Sequence, residues 1–378
     1  MTRVRFHLRA LLKSLWLPMV TVIIGLVVGA IVILATGDNP ITAYRSLLQG
    51  AGILPKPSYP NFRSIFTDFM TTLNHLTPLL FAALGVSVAF KAGLLNIGVS
   101  GQMLFAGFAA TMLVGYTEVL SPFIARPLVM IIAALAGGLI GWLIGFLKHK
   151  FNIHEVVASI MINFIIMHIV SYVINVRYMD PVARESWPVS PAARLTLANT
   201  MVERMGLRMD IPLGLIVALL AAFGVWFFFA RTKLGFELKA VGANKNAAEY
   251  AGINAGRRIM LAMFLSGMLA GLAGATYYLG LFASIPPRVL PITGFDGIAV
   301  SFLASSHPIG IIFAAFLITI IGVGSVYMQF VARVPAEIAS VITGTMLLIS
   351  ACSAYIGNYL RSFKRTTKTI ADVHNNDR

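Results

Sequence analysis

The feature that most limits what this chain can fold into is the length of its uncharged apolar runs. Gly297–Ala332 passes 36 residues and Ala92–Gly115 passes 24 residues without a formal charge. A helix needs about 20 mainly apolar residues to cross a hydrocarbon core. The rest of the chain does not compensate. Only 11% of its 378 residues are charged and 58% are hydrophobic, whereas soluble domains carry roughly 25% charged residues. That is too little charge to coat a water-soluble globule. The expectation is an all-α polytopic membrane protein with about ten transmembrane helices.

Read by length, the apolar segments are Trp16–Thr36, Leu76–Phe90, Ala92–Gly115, Pro127–Leu147, Val156–Val176, Ile211–Ala230, Ile259–Phe282, Phe295–Ser305, Ile309–Phe330 and Ile338–Leu360. The longest run is divided at Ser305-Ser306-His307-Pro308, where proline ends or restarts a helix. Ten crossings place both termini on one side. Arg3, Arg5, Arg9 and Lys13 then share that side with Arg231, Lys233, Lys239, Lys245, Arg257, Arg258 and the tail residues Arg361, Lys364, Arg365 and Lys368. Basic residues collect in cytoplasmic loops, so both termini are expected in the cytoplasm. The organisation is a cytoplasmic start (1–15), one transmembrane domain (16–360) and a basic tail (361–378). The first apolar run is longer than the 7–15 residues of a secretory signal core and reads as a retained span. External loops are expected at 37–75 and 177–210. Arg45–Leu48 and Phe62–Leu73 read as amphipathic helices at the outer interface.

Several functions are excluded or set low. The net charge of +15 reflects cytoplasmic loops rather than nucleic-acid binding, because the basic residues flank apolar runs. A single cysteine, Cys352, allows no disulfide framework and no multi-cysteine metal site. No Gly-Lys dipeptide exists, hence no phosphate loop, and no His-Glu-x-x-His. No nucleophile turn is recognisable, so a catalytic role is not expected. His149 and His154 have the wrong spacing for one helical face and read as structural. Glu155, Asp296 and Glu337 all fall at predicted segment ends. A proton- or sodium-coupled carrier usually places a carboxylate mid-span, so energy is expected to arrive from outside this chain. An ion-coupled carrier and an intramembrane lipid enzyme stay as alternatives.

Two interruptions carry the polar residues. Asn96, Gly98, Ser100, Gly101 and Gln102 follow Lys91 within one apolar stretch. In the second half Ile285-Pro-Pro-Arg-Val-Leu-Pro-Ile-Thr-Gly-Phe-Asp-Gly297 leads into the short segment. Unwound backbone is tolerated in a membrane only beside protein or a water-filled cavity. Paired interruptions in two halves point to a transporter's central pathway, so two pseudo-repeated halves with broken helices near the centre are expected. Pathway or hinge candidates are Asn96, Gly98, Ser100, Gly101, Gln102, Asn163, His168, Asp296, Ser301, Ser305 and His307. By contrast, the glycines from Gly137 to Gly145 and from Gly267 to Gly274 read as close-packing positions.

The longest cytoplasmic connection is Arg231–Arg258. There Asn246 reads as an N-cap with Glu249 as its capping-box partner, and Gly252 as the left-handed terminator. The small side chains of a helix at Ala247–Ala251 suit the groove of another protein.

Three motifs carry a resemblance. They are Phe90-Lys-Ala-Gly-Leu-Leu-Asn-Ile-Gly-Val-Ser-Gly-Gln102; Leu238-Lys-Ala-Val-Gly242 with Ala247-Ala-Glu-Tyr-Ala-Gly-Ile-Asn254; and Gly294-Phe-Asp-Gly-Ile-Ala-Val300 followed by His307-Pro-Ile-Gly310. Over roughly residues 70–358 the chain resembles the membrane permease subunits of ABC importers. The branch is the one that serves ribose, galactose, nucleosides and branched-chain amino acids, and nucleoside permeases are the most similar. The resemblance implies about ten spans and pairing with a second, homologous permease. It also implies an external substrate-binding lipoprotein and an ABC ATPase subunit that holds ATP and Mg, leaving no cofactor in this chain. The ATPase-coupling loop implied comprises Ala240, Gly242, Asn246, Ala247, Ala248, Glu249, Tyr250 and Gly252. The substrate implied is a nucleoside, with a simple sugar as the alternative.

Overall fold

The computed structural model describes residues 2–60, 63–198 and 210–352, with backbone alone for 2–18 and 198. Apart from a two-stranded ribbon and one isolated bridge, the ordered elements are helices. In chain order they are α1 (Thr2–Ala35), α2 (Pro40–Gly50), α3 (Ile65–Lys91), α4 (Val99–Gly115), α5 (Pro122–Phe151), α6 (Glu155–Tyr178), β1 (Thr196–Ala198), β2 (Asp210–Pro212), α7 (Gly214–Arg231), α8 (Lys233–Ala243), α9 (Lys245–Tyr250), α10 (Ala255–Phe282), α11 (Thr293–Leu303), α12 (Pro308–Ala332) and α13 (Glu337–Ala351). Among the described residues six helices, α3, α5, α6, α7, α10 and α12, are long and apolar enough to cross a membrane. The pair formed by α1 from Met19 and α2 makes a seventh if its 118° bend lies within one span. Helices α4, α11 and α13 are apolar but shorter. The chain is therefore an all-α, multi-pass membrane protein. The end of the tenth segment and the basic tail lie outside the described residues.

Two boundaries differ from the sequence reading. Helix α3 begins at Ile65, not Leu76, and is 27 residues long. Ser64 and Thr67 form a capping box, with Asp68 in the first turn, an arrangement that starts helices. No separate interfacial helix exists at Phe62–Leu73, because its described residues from Ile65 onward are the first turns of α3. Hydropathy missed them because Thr67, Asp68 and Thr72 are polar. They are nonetheless buried, and the Thr72 hydroxyl donates to the Ala51 carbonyl at 2.9 Å. The second difference is in Ala92–Gly115. Its first seven residues, 92–98, are not helical, and α4 starts only at Val99.

Helix α3 is the hub, buried against α10, α11 and α12. The tightest seam joins α5 to α10. A Cβ on Gly137 would lie 2.4 Å from the Gly267 carbonyl oxygen, and one on Gly271 would lie 2.0 Å from that of Ala133. The glycine runs read as packing positions thus face each other, and only glycine permits this backbone approach. Gly25 and Gly29 seat α1 on the side chains of Met346 and Ile342 of α13. These pairings run in opposite directions, so the start of α1 and the end of α13 point the same way.

The bundle has two distinguishable ends. At one lie α8 and α9; at the other lies the ribbon, in which Leu197 pairs with Ile211. Helix α3 runs from the ribbon end to the α8–α9 end, where Gly93 meets Gly242.

Candidate functional site

The first break begins as α3 ends. Gly93 takes φ +75°. Its N–H donates to Phe90 O, and the Leu94 N–H donates to Ala89 O, each at 3.0 Å. This is the left-handed cap that glycine allows. Residues 92–98 then run back into the bundle without helical hydrogen bonds, and side chains take over the satisfying of their backbone. The Asn96 carboxamide accepts from the Gly98 N–H (3.0 Å) and donates to Gln102 Oε1 (2.9 Å) and Ser266 Oγ (2.8 Å). Ser266 in turn donates to Gly85 O at 2.7 Å. From α6, Asn163 accepts from the Gly101 N–H and donates to Ile97 O, both at 3.0 Å.

The second break meets the first. Residues 283–292 return from the ribbon end, and α11 starts at Thr293. Ser100 Oγ donates to Pro291 O at 2.9 Å, and a Cβ on Gly294 would lie 2.3 Å from that hydroxyl. Two half-helices, α4 and α11, therefore place their N-termini together deep in the bundle. They run opposite ways: α11 follows α3, since Gly297 packs on Ala82 and Ala83 while Phe302 stacks edge-on against Phe90, whereas α4 follows α10 toward the ribbon, since Gly274 meets Met103 and Gly107 meets Tyr278.

A cavity of about 550 Å³ lies on the ribbon side of these breaks. Lys56, Arg63 and Asp68 stand at its mouth, and Tyr327, Ser340 and Thr343 line its far wall. Thr71, His75 and Leu79 descend along α3, and Ile292, Thr293 and Asp296 form the floor at the start of α11. Asp68 to Leu79 is a helical rise of about 16 Å, so the floor is deep. Lys56 Nζ lies 2.6 Å from Asp68 Oδ2 and 4.4 Å from the centre of the Tyr327 ring, bridging α3 and α12 across the mouth.

The candidates from sequence fall into separate places. Asn96, Ser100, Gln102 and Asn163 are buried in the hydrogen-bonded knot with Gly98 and Gly101, not on the cavity. Asp296 lines the cavity, at the depth of Ala82 rather than at an interface. The sequence reading put it at a segment end. It is at a helix end, but that end is internal. Ser301 and Ser306 pair at 3.3 Å near the end of α11, and Ser305 turns the chain at φ +49°. His307 caps α12 by accepting from the Gly310 N–H at 3.4 Å. Partial burial, then the Lys91 charge, lower its pKa below the usual histidine value. His168 is exposed on the lateral face of α6, away from the cavity. Sequence reasoning missed Lys56, Arg63, Asp68, His75 and Tyr327. Polar residues spaced along the first turns of α3 were the available signal.

At the opposite end α8 and α9 form a compact hairpin. Glu237 and Arg258 lie 2.6 Å apart and tie α8 to α10. The N-cap of α9 is Asn244, whose Oδ1 accepts from the Ala247 N–H at 3.1 Å. Asn246 instead lies inside the helix. Asn244 is the residue in extended backbone (φ −161°), the geometry a cap requires. Gly252 adopts φ +80°, as expected. Ala248 is buried and Ala240 and Gly242 half-buried, whereas Asn246, Ala247 and Glu249 are exposed and Tyr250 is 95% exposed. A Cβ on Gly242 would meet Lys91 O at 2.4 Å, so the hairpin bears directly on the first break.

The chain is 35% identical over 359 residues to the guanosine ABC transporter permease protein NupP of Bacillus subtilis, covering 94% of this chain and 98% of that one. It is 34% identical over 349 residues to the nucleoside ABC transporter permease protein NupB of Lactococcus lactis subsp. cremoris, covering 90% and 91%. The guanosine ABC transporter permease protein NupQ of Bacillus subtilis matches at 25% over 250 residues, covering 65% and 77%. Residues 69–351, which include both breaks, the cavity floor and the hairpin, match one family model. The chain belongs to the family of the branched-chain amino acid transport system / permease component.

Proposed function

We propose that this chain is a permease subunit of an ATP-driven importer and forms half of the path by which a nucleoside crosses the membrane. The observation that carries the reading is the cavity floored by the second helix break, which is hydrogen-bonded to the first through Ser100 and Pro291, with the α8–α9 hairpin braced against the first break from the other side. That is the arrangement of a solute path closed by irregular backbone at mid-depth. Similarity to NupP and NupB over nearly the whole chain supports a nucleoside as the solute.

In this reading the chain crosses the membrane ten times. Two crossings consist of an irregular segment followed by a half-helix: 92–98 with α4, and 283–292 with α11. Both termini and the α8–α9 hairpin face the cytoplasm, and the cavity opens outward. The halves around α4 and α11 are inverted counterparts. A separate ABC ATPase, which holds the ATP and Mg, docks on the hairpin through Glu249 and Tyr250. A second, homologous permease completes the path, a role supported by the matches to both NupP and NupQ of one organism. An external binding lipoprotein delivers the nucleoside at the mouth. Closure of the ATPase pushes Gly242 against the turn at Gly93, shifts the Asn96 knot and exchanges outward for inward opening. The chain itself catalyses no bond change.

Uptake of radiolabelled guanosine into vesicles tests this. The assembled complex is expected to concentrate it only when ATP is supplied, with unlabelled nucleosides competing and ribose not. Accumulation by this chain reconstituted alone overturns the reading. Competition by ribose and not by nucleosides moves the substrate to simple sugars.

A further inference from the structure

Building on the nucleoside reading, we infer that Asp296 is a specificity-determining contact at the cavity floor, and that it recognises a neutral solute by two adjacent hydrogen-bond donors. Three observations carry this. First, Asp296 lines the cavity, yet among the described residues its carboxylate has no hydrogen bond or ion pair, whereas the other acidic group on the wall, Asp68, is held by Lys56 at 2.6 Å. A secluded carboxylate without a partner is costly. Its place in the first turn of α11 offsets part of that cost, because a helix N-terminus favours negative charge. The remaining acceptor capacity faces the cavity. Second, an ionised carboxylate is acceptor-only with two oxygens side by side, so it fits a pair of neighbouring donors. Thr293 lies one turn earlier on the same face and adds a hydroxyl. Third, the formal charges of the lining sum to zero, Lys56 and Arg63 against Asp68 and Asp296, which suits a solute without net charge. Its volume of about 550 Å³ lies within the range that encloses a small ligand.

In a nucleoside two groups offer such a donor pair: the vicinal ribose diol, and the N–H and amino edge of guanine. Both present the same chemistry to Asp296, and separate arms of the test distinguish them. Cells of the native host that lack the chromosomal copy are complemented with wild type, Asp296→Asn or Asp296→Glu, each verified in the membrane fraction. Maximal uptake rates are measured for guanosine, inosine and 2′-deoxyguanosine at saturating concentration, so that capture by the external protein does not set the rate. Wild type is expected to move guanosine about 10-fold faster than the analogue that lacks a recognised donor, the size of effect a charge-assisted hydrogen bond produces. A slow inosine arm assigns the base edge, and a slow 2′-deoxyguanosine arm assigns the ribose. In Asp296→Asn the guanosine rate is expected to fall to that of the slow analogue, while Asp296→Glu keeps the wild-type order. If Asp296→Asn moves nothing, the order in Asp296→Glu decides. Equal rates for all three solutes in wild type, unchanged ratios in Asp296→Asn, or loss of the wild-type order in Asp296→Glu overturn the inference while the nucleoside reading stands. No uptake of any of the three by wild type overturns the nucleoside reading itself.

Discussion

Asn96 has no exposed surface, and its amide joins four groups: the Gly98 N–H, both ends of the Gln102 amide, and the Ser266 hydroxyl. Its effect is therefore on the shape of the break rather than on the solute. Asn96→Ala leaves buried donors and acceptors unsatisfied at several points. The expected loss is about 2–3 kcal/mol of stability, read as a lower melting temperature of the detergent-solubilised chain. A variant that melts with wild type would show that water replaces the amide and that the knot has no structural role. Residue type and spacing made this cluster visible in the sequence. They did not reveal whether its polar groups face one another or a passing solute, because that depends on Ser266 and Pro291, which are distant in the chain.

At the scale of elements, the α5–α10 seam and the α9 cap give opposed pairs of variants. Gly267→Leu would place a side chain where the Gly137 carbonyl oxygen is 2.3 Å from the first carbon. Backbone cannot yield as a side chain can, so a loss of about 3 kcal/mol or more is expected, seen as little monodisperse protein on size exclusion. Gly224, with nothing within 4 Å of its Cβ position, is the control, and Gly224→Ala is expected to preserve yield. At the hairpin, Asn244→Ala is expected to cost about 1 kcal/mol of local stability, and Asn246→Ala next to nothing. Faster amide exchange in α9 for the first variant only is the measurement, and the reverse order would restore Asn246 as the cap. The sequence pattern located this short helix but set its start two residues late. Asn244 and Asn246 are chemically the same cap, and only the backbone conformation separates them.

For the whole molecule, the break and the hairpin form one connected device, since Gly242 of α8 touches the turn at Gly93 that opens the irregular segment. Glu249 and Tyr250 project from its exposed side. Replacing both with alanine is expected to lower the amount of ATPase that co-purifies with the chain by 10-fold or more, as loss of exposed aromatic anchors does at interfaces. Undiminished co-purification would place the docking surface elsewhere. Class, approximate segments, breaks and hairpin were all legible from local chemistry: uncharged runs as long as a bilayer is thick, glycines and prolines that interrupt them, and an Asx cap before small residues. Each depends on neighbours within a few residues. Tertiary structure alone decided that the polar first turns of α3 are buried helix, that Asp296 sits inside the bundle because its helix begins there, and that the cavity is walled by Lys56, Asp68 and Tyr327. Those facts depend on which distant segments share a space, and hydropathy along one chain does not encode that.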